Sequence, residues 1–191
     1  GEEADPEIDI FDREGAFIDR VLSDWMTCDY HDLKIVLEHI TTKDGADFVQ
    51  QAGSNIGATV TPHHLVINRN DILAGGIRPH LYCLPIAKRE KHRKALRDAL
   101  ASGDQSFFLG TDSAPHPINA KETDCGCAGI FNVPNAIEIY ANVFEEMDAL
   151  EHFEGFASLN GPNFYGLEAN TSVLTLERSP QIVLGNIDIP G

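Results

Sequence analysis

The stretch Phe107–His116, FFLGTDSAPH, decides the fold. Phe107, Phe108 and Leu109 make an unbroken apolar run, the pattern of a strand buried on both faces in a parallel sheet flanked by helices. Gly110 permits a close approach to the backbone, and Asp112 arrives where the apolar run ends, so a carboxylate sits at the C-terminal tip of the strand. Pro115 and Pro117 bracket His116 and forbid an immediate helix; the segment leaves the strand as an ordered loop carrying an imidazole. Ligands and catalytic groups collect at the C-terminal ends of parallel strands. A plainer reading of Asp112, as the cap of the next helix, stays open at this point.

The same grammar recurs upstream. Lys34–His39, KIVLEH, is a short apolar run ending in a polar pair, and Thr41, Thr42 and Asp44 then offer an N-cap and a first-turn acid for a helix through about Ala52. Gly57–Leu65, GATVTPHHL, reads as a further strand stopped by Pro62. An amphipathic helix is expected from about Ile8 to Met26, with Phe11, Ile18, Leu22 and Trp25 on its apolar face. Two irregular but ordered segments, VINRNDILAGGIRPHLYCLP and INAKETDCGCAGIF, have the composition of loops that cover a site. From Asn132 onward, Ile137, Tyr140, Phe144 and Met147 mark a long helix, Leu150, Phe153 and Phe156 a second, and Asn160 and Pro162 open a short last one ending at Gly166.

Alternating strands and helices at this spacing imply parallel βα units. Three visible strands are too few for a complete domain of this kind, and a (β/α)8 barrel runs to about 250 residues. The fold class expected is therefore α/β, the C-terminal half of a (β/α)8 barrel, with residues 1–167 forming the partial barrel and 168–191 a C-terminal extension. The opening GEEADPEIDIF has no initiator Met and no strand before its first helix, so the chain is expected to start in mid-fold.

Composition narrows the function. With 14 basic and 30 acidic residues the formal charge is −16, which argues against nucleic acid or an anionic membrane as partner. Six basic residues between Lys88 and Arg97 share their segment with Ala95, Leu96, Ala99 and Leu100 at helical spacing, which reads as a solvated helix face. No transmembrane run or signal peptide is visible. Four cysteines, Cys28, Cys83, Cys125 and Cys127, are too few and scattered for a disulfide scaffold, and a reducing cytoplasm fits them best.

His39 and Asp112 each end an apolar run, so in a barrel both face the same mouth. A lone strand-end His reads as a satisfied structural residue; a His and an Asp at equivalent places on two strands read as ligands of a catalytic zinc. Energetics supports a metal. An Asp of pKa ~3.9 taking a proton from bulk water at ~15.7 faces a mismatch of about 16 kcal/mol, which falls to about 4 kcal/mol for water on a metal at pKa ~7. His63 and His64 close the strand read over Gly57–Leu65 and are open to a ligand role as well, but alternation lets only one face the mouth, and the reading preferred is that they are supporting or structural residues. His80 is uncommitted. Cys125 and Cys127 lack the further ligands of a tetrahedral site and are read as free thiols in a Gly-rich loop that can offer backbone groups to a polar ligand.

At EHITTKDGADFV, RPHLYCLP, GTDSAPH, ETDCGCAG and VFEEMDALEHFE the chain resembles the bacterial, stand-alone dihydroorotases of the amidohydrolase superfamily, over about Ile8 to Leu167. The resemblance implies a zinc-dependent enzyme that interconverts dihydroorotate and N-carbamoyl-L-aspartate in pyrimidine synthesis. It implies two zinc ions at the barrel mouth, one ligated by His39 and the other by Asp112, which also shuttles the proton. It implies substrate contacts from the His116 side chain and the backbone of Leu84 and Ala128, and a homodimeric intact enzyme. The family's HxH pair, carboxylated lysine and substrate-holding Arg and Asn have no counterpart in this sequence, so the isolated polypeptide is expected to be inactive. Two rival readings are another cyclic amidase, such as a hydantoinase or allantoinase, and a non-catalytic fragment or partner subunit.

Overall fold

The computed structural model describes residues 1–27, 33–180, 182, 185 and 187. Cys28 lies outside the described residues, as does part of the expected C-terminal extension. At the centre is a three-stranded parallel sheet in the order β1 (Ile35–Leu37), β2 (Ile56–Val60), β3 (Phe107–Leu109). The register pairs Leu37 with Ala58 and Val60 with Leu109. Parallel pairing brings all three C-terminal ends to one side of the sheet. Every residue of β2 is buried, as a strand covered on both faces requires.

The connections are helical. Helix α3 (Lys43–Gln51) follows β1 and is capped by the Thr42 side chain, which accepts from Gly45 N at 3.0 Å. Helices α4 (Pro62–Val66), α5 (Arg69–Leu73) and α6 (Glu90–Ala101) link β2 to β3. After β3 come α7 (Ile118–Lys121), α8 (Ala136–Glu146) and α9 (Asn160–Tyr165). Leu96 on α6 and Tyr140 and Phe144 on α8 belong to the main core with the sheet, and Ile72 of α5 packs in a second cluster with Ile86 and Ala87.

Several expectations are corrected. The N-terminal helix begins at Arg13, as α1 (Arg13–Phe17), and continues through a π turn (Ile18–Leu22) into α2 (Ser23–Thr27). Trp25 is 45% exposed, whereas Ile18 and Leu22 are buried. The strand read over Gly57–Leu65 stops at Val60, because Thr61 caps α4 and Pro62 takes the first helical position, where its missing N–H is harmless. His63 and His64 therefore sit on a helix, both buried, and the alternation argument does not apply to them. Lys88 is not on the solvated face of α6: it is buried, with its ammonium on Glu2 and Ile86 O, each at 3.0 Å. Arg93 and Arg97 also turn inward and donate to Leu65 O at 3.0 and 2.8 Å. Residues 168–180 hold no helix or strand. No described helix is long and apolar enough to cross a membrane.

Candidate active site

His39 and Asp112 lie just beyond the C-terminal ends of β1 and β3, with β2 between them. Both have left-handed backbone, φ 47° and 43°, as does Asp148 after α8 (φ 55°), a conformation uncommon for residues with a Cβ although Asp and His adopt it more readily than most. The chain holds them there by specific bonds. His39 N donates to Thr59 Oγ1 at 2.6 Å, and that hydroxyl donates to Glu38 at 2.6 Å. On the β3 side Gly110 lies so close to Thr59 that a Cβ would stand 2.5 Å from the Thr59 Cβ, which explains why the tip needs glycine. The buried Tyr140 hydroxyl donates to Val60 O at 2.6 Å and reaches Gly110 O at 3.3 Å, tying the ends of β2 and β3.

Asp112 caps no helix: the next one, α7, has Pro117 at its N-cap and no side-chain cap bond. Its carboxylate is left for other work. The Nδ1 of His39 is buried without a hydrogen-bond partner. Buried polar atoms are normally satisfied, so the unpartnered His39 nitrogen is a donor or acceptor still available to a ligand, on the same side of the sheet as the Asp112 carboxylate.

The loop after His39 is fastened from behind by Glu14. This buried carboxylate accepts four bonds, from Thr41 N and Oγ1 at 2.8 and 2.7 Å and from Thr42 N and Oγ1 at 2.9 and 2.5 Å. The sequence held a signal for it. Glu14 lies four residues before Ile18 on the apolar stripe of its helix, and a carboxylate on a core face needs partners.

His63 faces the same rim. Asn132 Nδ2 donates both to Thr111 O at 2.8 Å and to His63 Nδ1 at 2.9 Å, which places the ring proton on Nε2, a buried atom without a partner. Burial, with a lesser contribution from His39, lowers the His63 pKa to about 4, so the ring is neutral. The ligand atoms of His63, His64 and Cys83 lie within 4.8 Å of one another. His64, however, has both nitrogens engaged, at 2.7 Å to Thr61 Oγ1 and 2.9 Å to Pro85 O. Burial also pushes the Cys83 thiol up to about 11 and so keeps it protonated. His64 and Cys83 both reach Pro85 O and support that turn, while His63 is held by Asn132.

The two loops meet. The His116 Nε2–H donates to Ala128 O at 3.1 Å, and Gly129 N donates to Tyr82 O at 3.0 Å, two residues before Leu84. Gly129 has φ 149°, and a Cβ on it would strike Ala114 at 2.7 Å, so glycine lets the second loop lie against the first turn of GTDSAPH. His80 pairs with Glu122 at 2.9 Å across the same two loops. Leu84 is 48% exposed and unhindered. Cys125 and Cys127 are free thiols. Leu84, His116 and Ala128 thus belong to one loop pair beside the Asp112 tip.

Fold and rim together define a class: a parallel βα-barrel architecture whose imidazole and carboxylate groups gather where the strands end. The chain belongs to the amidohydrolase family, whose family model matches residues 4–186. It is 60% identical to a dihydroorotase of Hahella chejuensis over 178 residues, covering 93% of this chain and 51% of that protein. To a dihydroorotase of Yersinia enterocolitica it is 57% identical, covering 99% and 56%. The chain thus spans about half the length of these curated relatives. The crystal structure of a Saccharomyces cerevisiae dihydroorotase in complex with 5-fluoroorotic acid superposes with TM-score 0.76 at 37% identity, covering 88% of this chain and 48% of that one. A D-hydantoinase from a Thermus species shares the fold at TM-score 0.69 and 20% identity.

Proposed function

We propose that this sequence supplies the C-terminal half of a dihydroorotase active site, hydrolysing the ring amide of dihydroorotate reversibly to N-carbamoyl-L-aspartate in pyrimidine synthesis. The observation that carries the reading is the rim, where His39 and Asp112 hold left-handed backbone at strand tips, one with an orphaned buried nitrogen and the other with a free carboxylate. In this reading residues 1–167 are the partial barrel and 168–191 an extension. The enzyme is cytoplasmic and acts as a homodimer.

His39 and Asp112 fit a zinc centre, and the remaining ligands of a two-ion site lie outside this sequence. A metal held there would supply Lewis acidity toward the ring carbonyl and would lower the pKa of a water molecule near it. Asp112 takes one proton from the attacking water as the water oxygen bonds to the carbonyl carbon. The same carboxyl then gives the proton to the ring nitrogen as the C–N bond breaks, so water is added across the amide and Asp112 is regenerated. His116 and the main chain of Leu84 and Ala128 hold the substrate in place. Thr59, Glu14 and Asn132 keep the rim in shape.

A substrate panel on the complete chain, offered dihydroorotate, hydantoin and allantoin, tests the reading. Turnover of dihydroorotate well above the other two is expected. Preference for hydantoin or allantoin would replace it with the rival cyclic amidase.

A further inference from the structure

Lys121 is a buried cation whose role is not explained by the strand tips. It is 3% exposed, and its ammonium donates to Tyr82 O at 2.9 Å, Cys127 O at 2.6 Å and Gly129 O at 2.8 Å. An ammonium has three protons, and here each meets a backbone carbonyl. Burying a charge among neutral dipoles costs free energy unless its bonds are complete, and here all three are made.

What it holds is the junction of the two loops. Tyr82 lies in the first loop, two residues before Leu84; Cys127 and Gly129 flank Ala128 in the second. Tyr82 O accepts from Lys121 and from Gly129 N together, so the ammonium and the backbone bond share one anchor. The Tyr82 ring stands 6.0 Å from the ammonium. A second side-chain tie across these loops, His80 with Glu122, has both partners more than half exposed and is screened by water.

We propose that Lys121 is the positioning residue that locks these two loops together and so presets the main chain at Leu84 and Ala128 for the cyclic amide; this rests on the dihydroorotase reading above. A group that holds substrate and transition state alike, once loosened, raises KM and leaves kcat near the parent value. Lys121 itself touches neither substrate nor reacting atoms.

The test compares Lys121→Met and, should that variant not fold, Lys121→Gln with the parent in the complete enzyme, and His80→Ala as the exposed-tie control. Kinetics with dihydroorotate and amide hydrogen exchange over 82–84 and 127–129 are both measured. KM is expected to rise about tenfold or more with kcat held within about threefold, and exchange in both loops to quicken while β2 stays protected. His80→Ala should change neither. An unchanged KM overturns the positioning role, whether or not the loops loosen, because a merely structural lysine lowers stability without moving KM. If the parent itself fails to turn over dihydroorotate, the dihydroorotase reading has failed. The exchange measurement then judges the lock alone: quickening in both loops supports it and unchanged protection overturns it.

Discussion

Replacing Glu14 with Gln tests how the His39 rim is held. The carboxylate accepts four bonds between 2.5 and 2.9 Å from Thr41 and Thr42 in a buried site. A glutamine oxygen keeps two of them without the help of charge, a loss of about 1 kcal/mol each. Its amide group then faces one threonine. The hydroxyl there can rotate to accept, but the backbone N–H cannot, and an orphaned buried N–H costs about 1–3 kcal/mol. The sum is about 3–5 kcal/mol, a large part of the ~5–15 kcal/mol that stabilises a typical domain. Urea unfolding of the complete protein, parent against Glu14→Gln, measures it, and turnover should fall as well because Thr41 and Thr42 follow His39. A destabilisation under about 1 kcal/mol would refute the claim that Glu14 fastens this loop.

Three further outcomes are expected. Gly110→Ala, whose Cβ would stand 2.5 Å from the Thr59 Cβ, should destabilise by about 1–3 kcal/mol and disturb both strand tips; a neutral effect on thermal unfolding would show that the approach is not tight. Burial lowers the pKa of both His64 and His92 from the usual 6.5. The unfolded chain therefore takes up their protons first, and the stability of the metal-stripped protein should be full above pH 6.5 and decline below it. Equal urea midpoints at pH 7.5 and 5.5 would contradict this. His116→Ala removes the side chain that reaches Ala128 O and should raise KM for dihydroorotate more than it lowers kcat; steady-state kinetics with both constants unchanged would remove His116 from the site.

The strand tips were legible because an apolar run that stops at a polar residue has one simple meaning in a parallel sheet. Phe107–Leu109 followed by Asp112, and Ile35–Leu37 followed by His39, are local patterns, and the structure places both residues at the C-terminal rim. Where two local signals compete, the reading failed. Pro62 is read as the stop of the strand with His63 and His64 at its end, whereas the Thr61-Pro62 pair opens α4 and carries both imidazoles onto that helix.

Long-range partners were not legible at all. Nothing near Lys121 shows that its ammonium meets carbonyls on both sides of the chain, or near Lys88 that Glu2 lies against it. The two segments read as irregular loops, yet each contains a short helix, α5 in the first and α7 in the second; that they are bonded to each other is a tertiary fact. Asn132 was read only as a helix start, and the structure shows it orienting His63 and Thr111 O.

The central claim is that Asp112 moves the proton in the hydrolysis of a cyclic amide. The most direct test is Asp112→Asn in the complete, metal-loaded enzyme, with dihydroorotate turnover, metal content and thermal unfolding measured together. The account predicts a loss of at least about 100-fold in kcat, the scale of a general acid-base group, with folding intact. Turnover equal to the parent at equal metal content would contradict it.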